Sequence, residues 1–380
     1  MKTPLIMTPG PTSVHEDVRR AMSKKITNPD LDMEFYEFYK ETSDRLKQLF
    51  LTSNDILILN GEGILGLEAA CASLIEPGDQ VLCLDNGIFG KGFGEFAELY
   101  GAEVTYFKSD YRKAISVEEL EQFLADRHDF KLALLVHCET PSGITNPVNH
   151  ICPLLKKYGI LTVVDSVSAV GGEELRTDEW QMDLVLAGSQ KCLSAPPGLS
   201  IVSISGDAWK MIQSRKQPVA GFYCNLSLWS SWYEKKWFPY TQPVSDLYGL
   251  RAAVDRILTE GDSITRHKKY AEAVRTSLVD AGLELYAQDG FSNTVTTVLV
   301  PDGIRFQELF NAMLTNHNIM IAGAFDYLAD KVFRIGHMGE NCREETLYLA
   351  LKALNEVLKK HRVVLEKELH IEFVNLISQM

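Results

Sequence analysis

The sequence contains no Cys-x-x-Cys pair; its seven cysteines, Cys71, Cys83, Cys138, Cys152, Cys192, Cys224 and Cys342, are scattered and odd in number. That usage predicts reduced thiols in a cytoplasmic protein and argues against a structural zinc site or any other metal centre. No apolar run approaches the roughly 20 residues that cross a bilayer, and the opening MKTPLIMTPGPTS has no signal-peptide core. Long basic runs are missing too. With a net charge of −13, the chain is poorly suited to nucleic acid or to an anionic membrane. Internal repeats and low-complexity segments are likewise absent. What remains is a globular composition, 46% hydrophobic over 380 residues, enough for a large core and more than one domain.

Apolar runs of strand length recur at Ile56–Leu59, Val81–Leu84, Val104–Phe107, Leu132–Val136, Leu161–Val164, Leu184–Ala187 and Leu199–Ile204. Helical patterns fall between several of them, near Leu65–Leu74, Phe93–Tyr100, Val117–Leu124 and Ile151–Tyr158. This alternation predicts an α/β fold with a mostly parallel sheet flanked by helices, binding its ligand beyond the carboxyl ends of the strands. Ahead of it, a helix is expected from Val14 with Ser13 as cap, and another over 34–50. Gly221 to Pro243 is rich in aromatics without periodicity, the pattern of a functional or interface loop. One long helical region is expected over 245–281. A strand, helix, strand and helix follow at Thr294–Val300, Phe306–His317, Phe333–Ile335 and Glu344–His361. The division expected is a large α/β domain over 14–255 and a smaller α+β domain built from 256–380 and 1–13.

Lys191 is oddly placed. It follows the apolar run Leu184–Ala187 within a few residues and precedes Ala195-Pro196-Pro197-Gly198, which continues neither helix nor ladder. Either its stem snorkels to water, or it is buried as an amine of depressed pKa, fit to form a Schiff base with a carbonyl. Asp165 closes the run Leu161–Val164 and either caps a turn or faces the same crevice. An acid on a pyridinium nitrogen and a lysine on the aldehyde are what make pyridoxal an electron sink.

Gly61-Glu62-Gly63-Ile64-Leu65-Gly66 is a literal G-x-G-x-x-G, with Asp85 some twenty residues on. Read as a dinucleotide fingerprint, it predicts a nicotinamide dehydrogenase. Against this, the carboxylate of Glu62 beside a phosphate costs roughly 4 kcal/mol per charge pair. A helix dipole returns only about 0.3–2 kcal/mol. A tight glycine turn without a ligand is the plainer alternative. In His137-Cys138-Glu139-Thr140-Pro141-Ser142-Gly143, the hydroxyls of Thr140 and Ser142 either reach a ring substituent or stabilise the turn. Phe89 either stacks on a planar ligand or is core. Arg334, among apolar neighbours, needs a carboxylate from the protein or from a substrate.

These motifs, in this order, resemble the class V, fold type I pyridoxal-dependent aminotransferases, over nearly the whole chain. The resemblance runs from Thr8-Pro9-Gly10-Pro11 through Gly61-Glu62-Gly63 and Asp165-Ser166-Val167-Ser168 to Gly188-Ser189-Gln190-Lys191 and Arg334-Ile335-Gly336. It implies a Schiff base on Lys191, an Asp165–pyridine nitrogen pair, Phe89 on the ring and Arg334 on the substrate carboxylate. It also implies pyridoxal contacts for Gly63, Ile64, Thr140, Val167, Gln190, Phe238 and Thr241, and a homodimer in which Trp237–Pro243 reaches the neighbouring subunit. Whether dimers pair into tetramers is left open.

Within the family, Gly61-Glu62, Phe89-Gly90-Lys91-Gly92-Phe93-Gly94 and Arg334-Ile335-Gly336-His337-Met338-Gly339 look like the members that use free pyridoxamine and pyruvate. The expected reaction gives pyridoxal and L-alanine, a step of vitamin B6 degradation. Glu62 and Phe89 then touch a substrate ring, not a phosphorylated cofactor. Members with resident pyridoxal 5′-phosphate, such as alanine–glyoxylate or serine–pyruvate transaminases, are the alternative, and Gln190 is the residue they carry before the lysine. Gly323-Ala324-Phe325-Asp326 lacks an arginine associated with the pyridoxamine-using members.

Overall fold

Seven of the apolar runs pair into one sheet, in the order Asp55–Asn60, Leu199–Ile204, Leu184–Gly188, Leu161–Asp165, Leu132–Val136, Gln80–Asp85 and Glu103–Lys108. Six run parallel, and Leu199–Ile204 lies antiparallel between two of them. Strands 132–136, 161–165, 184–188 and 199–204 are buried along their full length. Covered on both faces, they read as unbroken apolar runs. The chain, a computed structural model, describes residues 3–380, so Met1 and Lys2 of the expected segment 1–13 lie outside the described residues.

Helices Gly63–Leu74, Ile88–Leu99, Val117–Asp126 and Val148–Lys157 lie between these strands in sequence. The first is apolar almost all round and nearly all buried, as a helix wedged between sheet and neighbours must be. Asp165 and Lys191 both sit at or just past carboxyl ends of adjacent parallel strands, which brings distant positions to one edge.

Two hydrophobic clusters form. One draws on buried residues from Val18 to Val254, the other on Met7 and on Ala273 to Ile377. Strand Leu5–Ile6 pairs in parallel with Ile319–Met320, and Gly336 N–H donates to the Met7 carbonyl at 2.7 Å. Val295–Leu299 and Val332–Gly336 pair antiparallel, which presents Arg334 beside the incoming chain. The N-terminal residues are thereby led across the second cluster towards Lys191.

Three expectations need correction. The first helix begins at Glu16 with His15 as its cap, because Ser13 instead donates its N–H to Asn341 Oδ1 at 3.0 Å. The helical stretch 245–281 is two helices, Val244–Glu260 and Ser263–Asp280, parted where Gly261 takes the left-handed conformation. The aromatic segment 221–243 holds a 3-10 turn, Leu226–Trp229, and a short helix, Trp232–Lys235. Its side chains Trp229, Trp232 and Phe238 are buried against Tyr36 and Tyr39.

Candidate active site

Lys191 occupies a turn locked from both sides. Ser194 N–H donates to the Lys191 carbonyl and Ala195 N–H to that of Ser189, each at 2.9 Å. Thr12 binds the turn from the N-terminal segment, its N–H to Gln190 O and its hydroxyl to Lys191 O. The amine points inward, not out to water, and Nζ donates to the Pro9 carbonyl at 2.7 Å. Gly10 makes this approach possible. Its φ is +90°, and a Cβ there would stand 2.5 Å from the lysine Cδ and 2.8 Å from Nζ. Burial, and then the Arg334 charge, lower the Lys191 pKa against the pull of Asp165. An amine with lowered basicity is available as a nucleophile.

Asp165 ends its strand buried, with Oδ1 accepting the Val167 N–H at 2.9 Å. Burial pushes its pKa up to about 6; Glu62 adds to the rise, while the Val167 bond and Lys191 oppose it. Asp165 and Lys191 share a cavity of about 320 Å³ with Gly10, Glu62, Gly63, Ile64, Phe89, Thr140, Val167 and Gln190. A roomier cleft of about 410 Å³ near Gln48 and Ser263 contains no lysine. Thr140 turns its hydroxyl to Ser168 Oγ at 2.5 Å, whereas Ser142 is buried and donates to the Glu139 carbonyl within the turn.

Arg334 does not itself line this cavity but lies near enough for its charge to act on Lys191. Its Nε donates to the Gly323 carbonyl at 2.7 Å. Burial alone lowers its pKa to about 10, with no carboxylate of the chain acting against that shift among the described residues. The terminal nitrogens are thus left to a ligand carboxylate.

The N-terminus of helix Gly63–Leu74 opens on this cavity, the kind of place where an anion binds. Glu62 caps it and lines the cavity. Its Oε1 accepts the Ile64 N–H at 3.0 Å and its Oε2 the Gln190 side-chain amide at 2.8 Å. The Gln190 carbonyl Oε1 is left buried without a partner. The lysine and acid fit a pyridoxal ring and its aldehyde, and a group placed at this helix end would meet the Glu62 carboxylate.

Phe238 and Thr241, expected to reach a neighbouring subunit's ring, do not line this chain's own cavity. Phe238 stacks on Tyr36 at 4.5 Å within the aromatic core. Thr241 is exposed; its carbonyl accepts from Asn60 Nδ2 and its hydroxyl donates to Asp30. The dinucleotide reading of Gly61–Gly66 also fails on topology. Strand Asp55–Asn60 pairs only with antiparallel Leu199–Ile204 within the sheet and is not beside Gln80–Asp85, so no βαβ nucleotide unit exists there. Glu139, which no reading of the sequence picked out, is buried directly behind Phe89.

A lysine and an acid at neighbouring strand ends of a mostly parallel sheet, with a second smaller core, define a fold type I pyridoxal-dependent enzyme. The chain matches the family model described as Aminotransferase class-V over residues 8–323. It belongs to the class-V aminotransferases, a family that uses pyridoxal phosphate on a lysine, and is itself an aminotransferase. It is 35% identical over 374 residues to an uncharacterized aminotransferase of Methanocaldococcus jannaschii, covering 96% of this chain and 97% of that one. With the pyridoxamine–pyruvate transaminase of Mesorhizobium japonicum it shares 33% identity over 355 residues, 92% of this chain and 90% of the relative. The crystal structure of a ureidoglycine–glyoxylate aminotransferase from Bacillus subtilis superposes with a TM-score of 0.95 at 32% identity, covering 100% of this chain and 99% of that one.

Proposed function

We propose that this aminotransferase moves an amino group between free pyridoxamine and pyruvate, giving pyridoxal and L-alanine, a step in the breakdown of vitamin B6. The observation that carries the reading is the Glu62 carboxylate, seated at the helix N-terminus and on the Gln190 amide. A phosphate dianion only accepts hydrogen bonds. A 5′-hydroxyl can donate one, and it meets two acceptors here, Glu62 and the unpartnered Gln190 Oε1.

When bound through Lys191, the pyridine ring supplies an electron sink for the amino carbon. The residues do the rest. Asp165 holds a proton on the ring nitrogen, Phe89 and Val167 hold the ring between them, and Thr140 lies along its edge. Once displaced from the ring by the substrate's amino group, Lys191 Nζ would be free to move a proton between the amino carbon and the ring-side carbon. Arg334 grips the pyruvate or alanine carboxylate through its two free nitrogens. The division at about residue 255 puts Arg334 on the smaller domain and Lys191 on the larger. The homodimer expected from the family has a candidate face in the exposed Leu31, Met33, Phe222, Tyr223 and Trp237. These segments are tied together by the Thr241–Asp30 bond and by Tyr223 stacked on Tyr240. The seven unpaired thiols fit a cytoplasmic setting, and no helix of the described residues is long and apolar enough to cross a membrane.

Initial rates with pyridoxamine and with pyridoxamine 5′-phosphate, each against pyruvate, test the proposal. Preference for the free amine supports it. Preference for the phosphorylated form, or its retention through dialysis, points instead to a resident-cofactor transaminase of the glyoxylate-using kind, a reading favoured by the equal identity to the ureidoglycine relative, 33%.

A further inference from the structure

Helix Ile88–Leu99 begins without a cap of its own, since Gly87 has no side chain to offer its first turn. The cap comes from fifty residues further along. Glu139 Oε1 accepts the Phe89 N–H at 3.0 Å and Oε2 the Gly90 N–H at 2.9 Å. The carboxylate is wholly buried, and the approach is built for it: a Cβ on Gly87 would stand 2.4 Å from Glu139 Cγ. Glu139 is chained to Thr140, so one short segment lines the cavity with its hydroxyl while holding the backbone of the aromatic Phe89 that faces it.

We propose that Glu139 is a positioning residue, a remote helix cap that fixes Phe89 at the height where its ring meets the pyridine. The inference rests on the reading of Phe89 as the stacking residue. A neutral side chain would suffice to fill the space; a carboxylate gives each of the two N–H groups its own charged acceptor oxygen. Keeping it ionised there is costly. Burial raises the Glu139 pKa to about 7, with Asp165 and Asp85 adding to the rise and the two N–H bonds opposing it. Tyr111 and Tyr327 are the other titratable groups that feel it. Protonation removes one acceptor, so Phe89 is held best above neutrality.

Glu139→Gln keeps the shape and replaces one acceptor with a donor. Gly87→Ala displaces the carboxylate without altering it. In the free enzyme, amide exchange at Phe89 and Gly90 is expected to accelerate in both variants. In turnover, both are expected to raise KM for pyridoxamine roughly tenfold with kcat within about twofold, the size of one lost charged hydrogen bond. On a Phe89→Ala background, Glu139→Gln is expected to add nothing, since the ring it positions is gone. Unchanged exchange, or a Glu139→Gln loss that adds in full to that of Phe89→Ala, overturns the proposal. If the wild type ignores free pyridoxamine, the substrate reading has failed on its own; the same cycle run with the phosphorylated ring, and the exchange measurement, still decide the role of Glu139.

Discussion

The Gln190 side-chain amide donates to Glu62 Oε2 at 2.8 Å, which takes up the Gln190 donor and leaves its Oε1 buried without a partner. The donor that could have served an anion is spent on a carboxylate, and the helix N-terminus is spent on its other oxygen. Glu62→Ser removes the charge and frees both sets of donors. Since a carboxylate–phosphate contact costs roughly 4 kcal/mol, the preference between free and phosphorylated ring is expected to swing on the order of a hundred- to a thousandfold towards the phosphate. Competitive rate measurements read the swing, and an unchanged preference would show that Glu62 does not choose the ring.

Lys191 is held between the Pro9 carbonyl and the Arg334 charge, with burial lowering its basicity. Lys191→Ala is expected to lose the yellow absorbance of the pyridoxal-bound enzyme and to slow turnover by at least roughly 10³-fold. Absorbance scans and borohydride trapping check it. A variant that keeps both colour and turnover removes Lys191 from the chemistry.

Arg334 has one nitrogen anchored to Gly323 and no carboxylate partner from the chain among the described residues. Arg334→Lys keeps a charge but not the fork. KM for pyruvate is expected to rise roughly 10- to 100-fold, with KM for pyridoxamine within about twofold. Steady-state kinetics with each substrate varied in turn separates the two; a rise confined to pyridoxamine would assign Arg334 to the ring.

How far the sequence carried these conclusions differed by element. Buried parallel strands announce themselves as apolar runs, and the ends that carry Asp165 and Lys191 were placed within a residue. The helix Ile88–Leu99 was expected only from Phe93. Its first turns are rich in glycine, and its first N–H groups are accepted by a carboxylate from another part of the chain, a non-local partner that no local pattern displays. The family likeness put Phe238 at a neighbouring subunit's ring, and no local pattern shows that within its own chain it packs in a Tyr36–Tyr39–Trp232 cluster. The Glu62–Gln190 pair was half legible: each residue was marked, but that they bond each other is a matter of side-chain geometry. The helices Gly206–Gln213 and Leu369–Gln379 escaped notice, one short, the other past the last recognised element.

Asp165 offers a prediction in which stability and activity part company. Its pKa rises from 3.8 to about 6 on folding because burial disfavours the charge. Between those values the folded chain keeps a proton that the unfolded chain has shed. The Asp165 contribution to stability is therefore most favourable below about pH 4, falls as pH rises towards 6, and stays lower above it. Two pKa steps of about 1.4 kcal/mol set the penalty at about 3 kcal/mol as an upper figure. Asp165→Asn escapes it while its side-chain oxygen still accepts the Val167 N–H. With no pyridoxal bound, the variant is expected to melt several degrees above the wild type near pH 8 and close to it near pH 4. Turnover should meanwhile drop by roughly 10²-fold or more, the ring nitrogen having lost its proton-holding partner. Thermal melts at the two pH values and a rate assay check both halves. A variant less stable than the wild type near pH 8 would mean that the Asp165 charge is paired, not merely buried, and that its place opposite Lys191 serves the fold before it serves the ring.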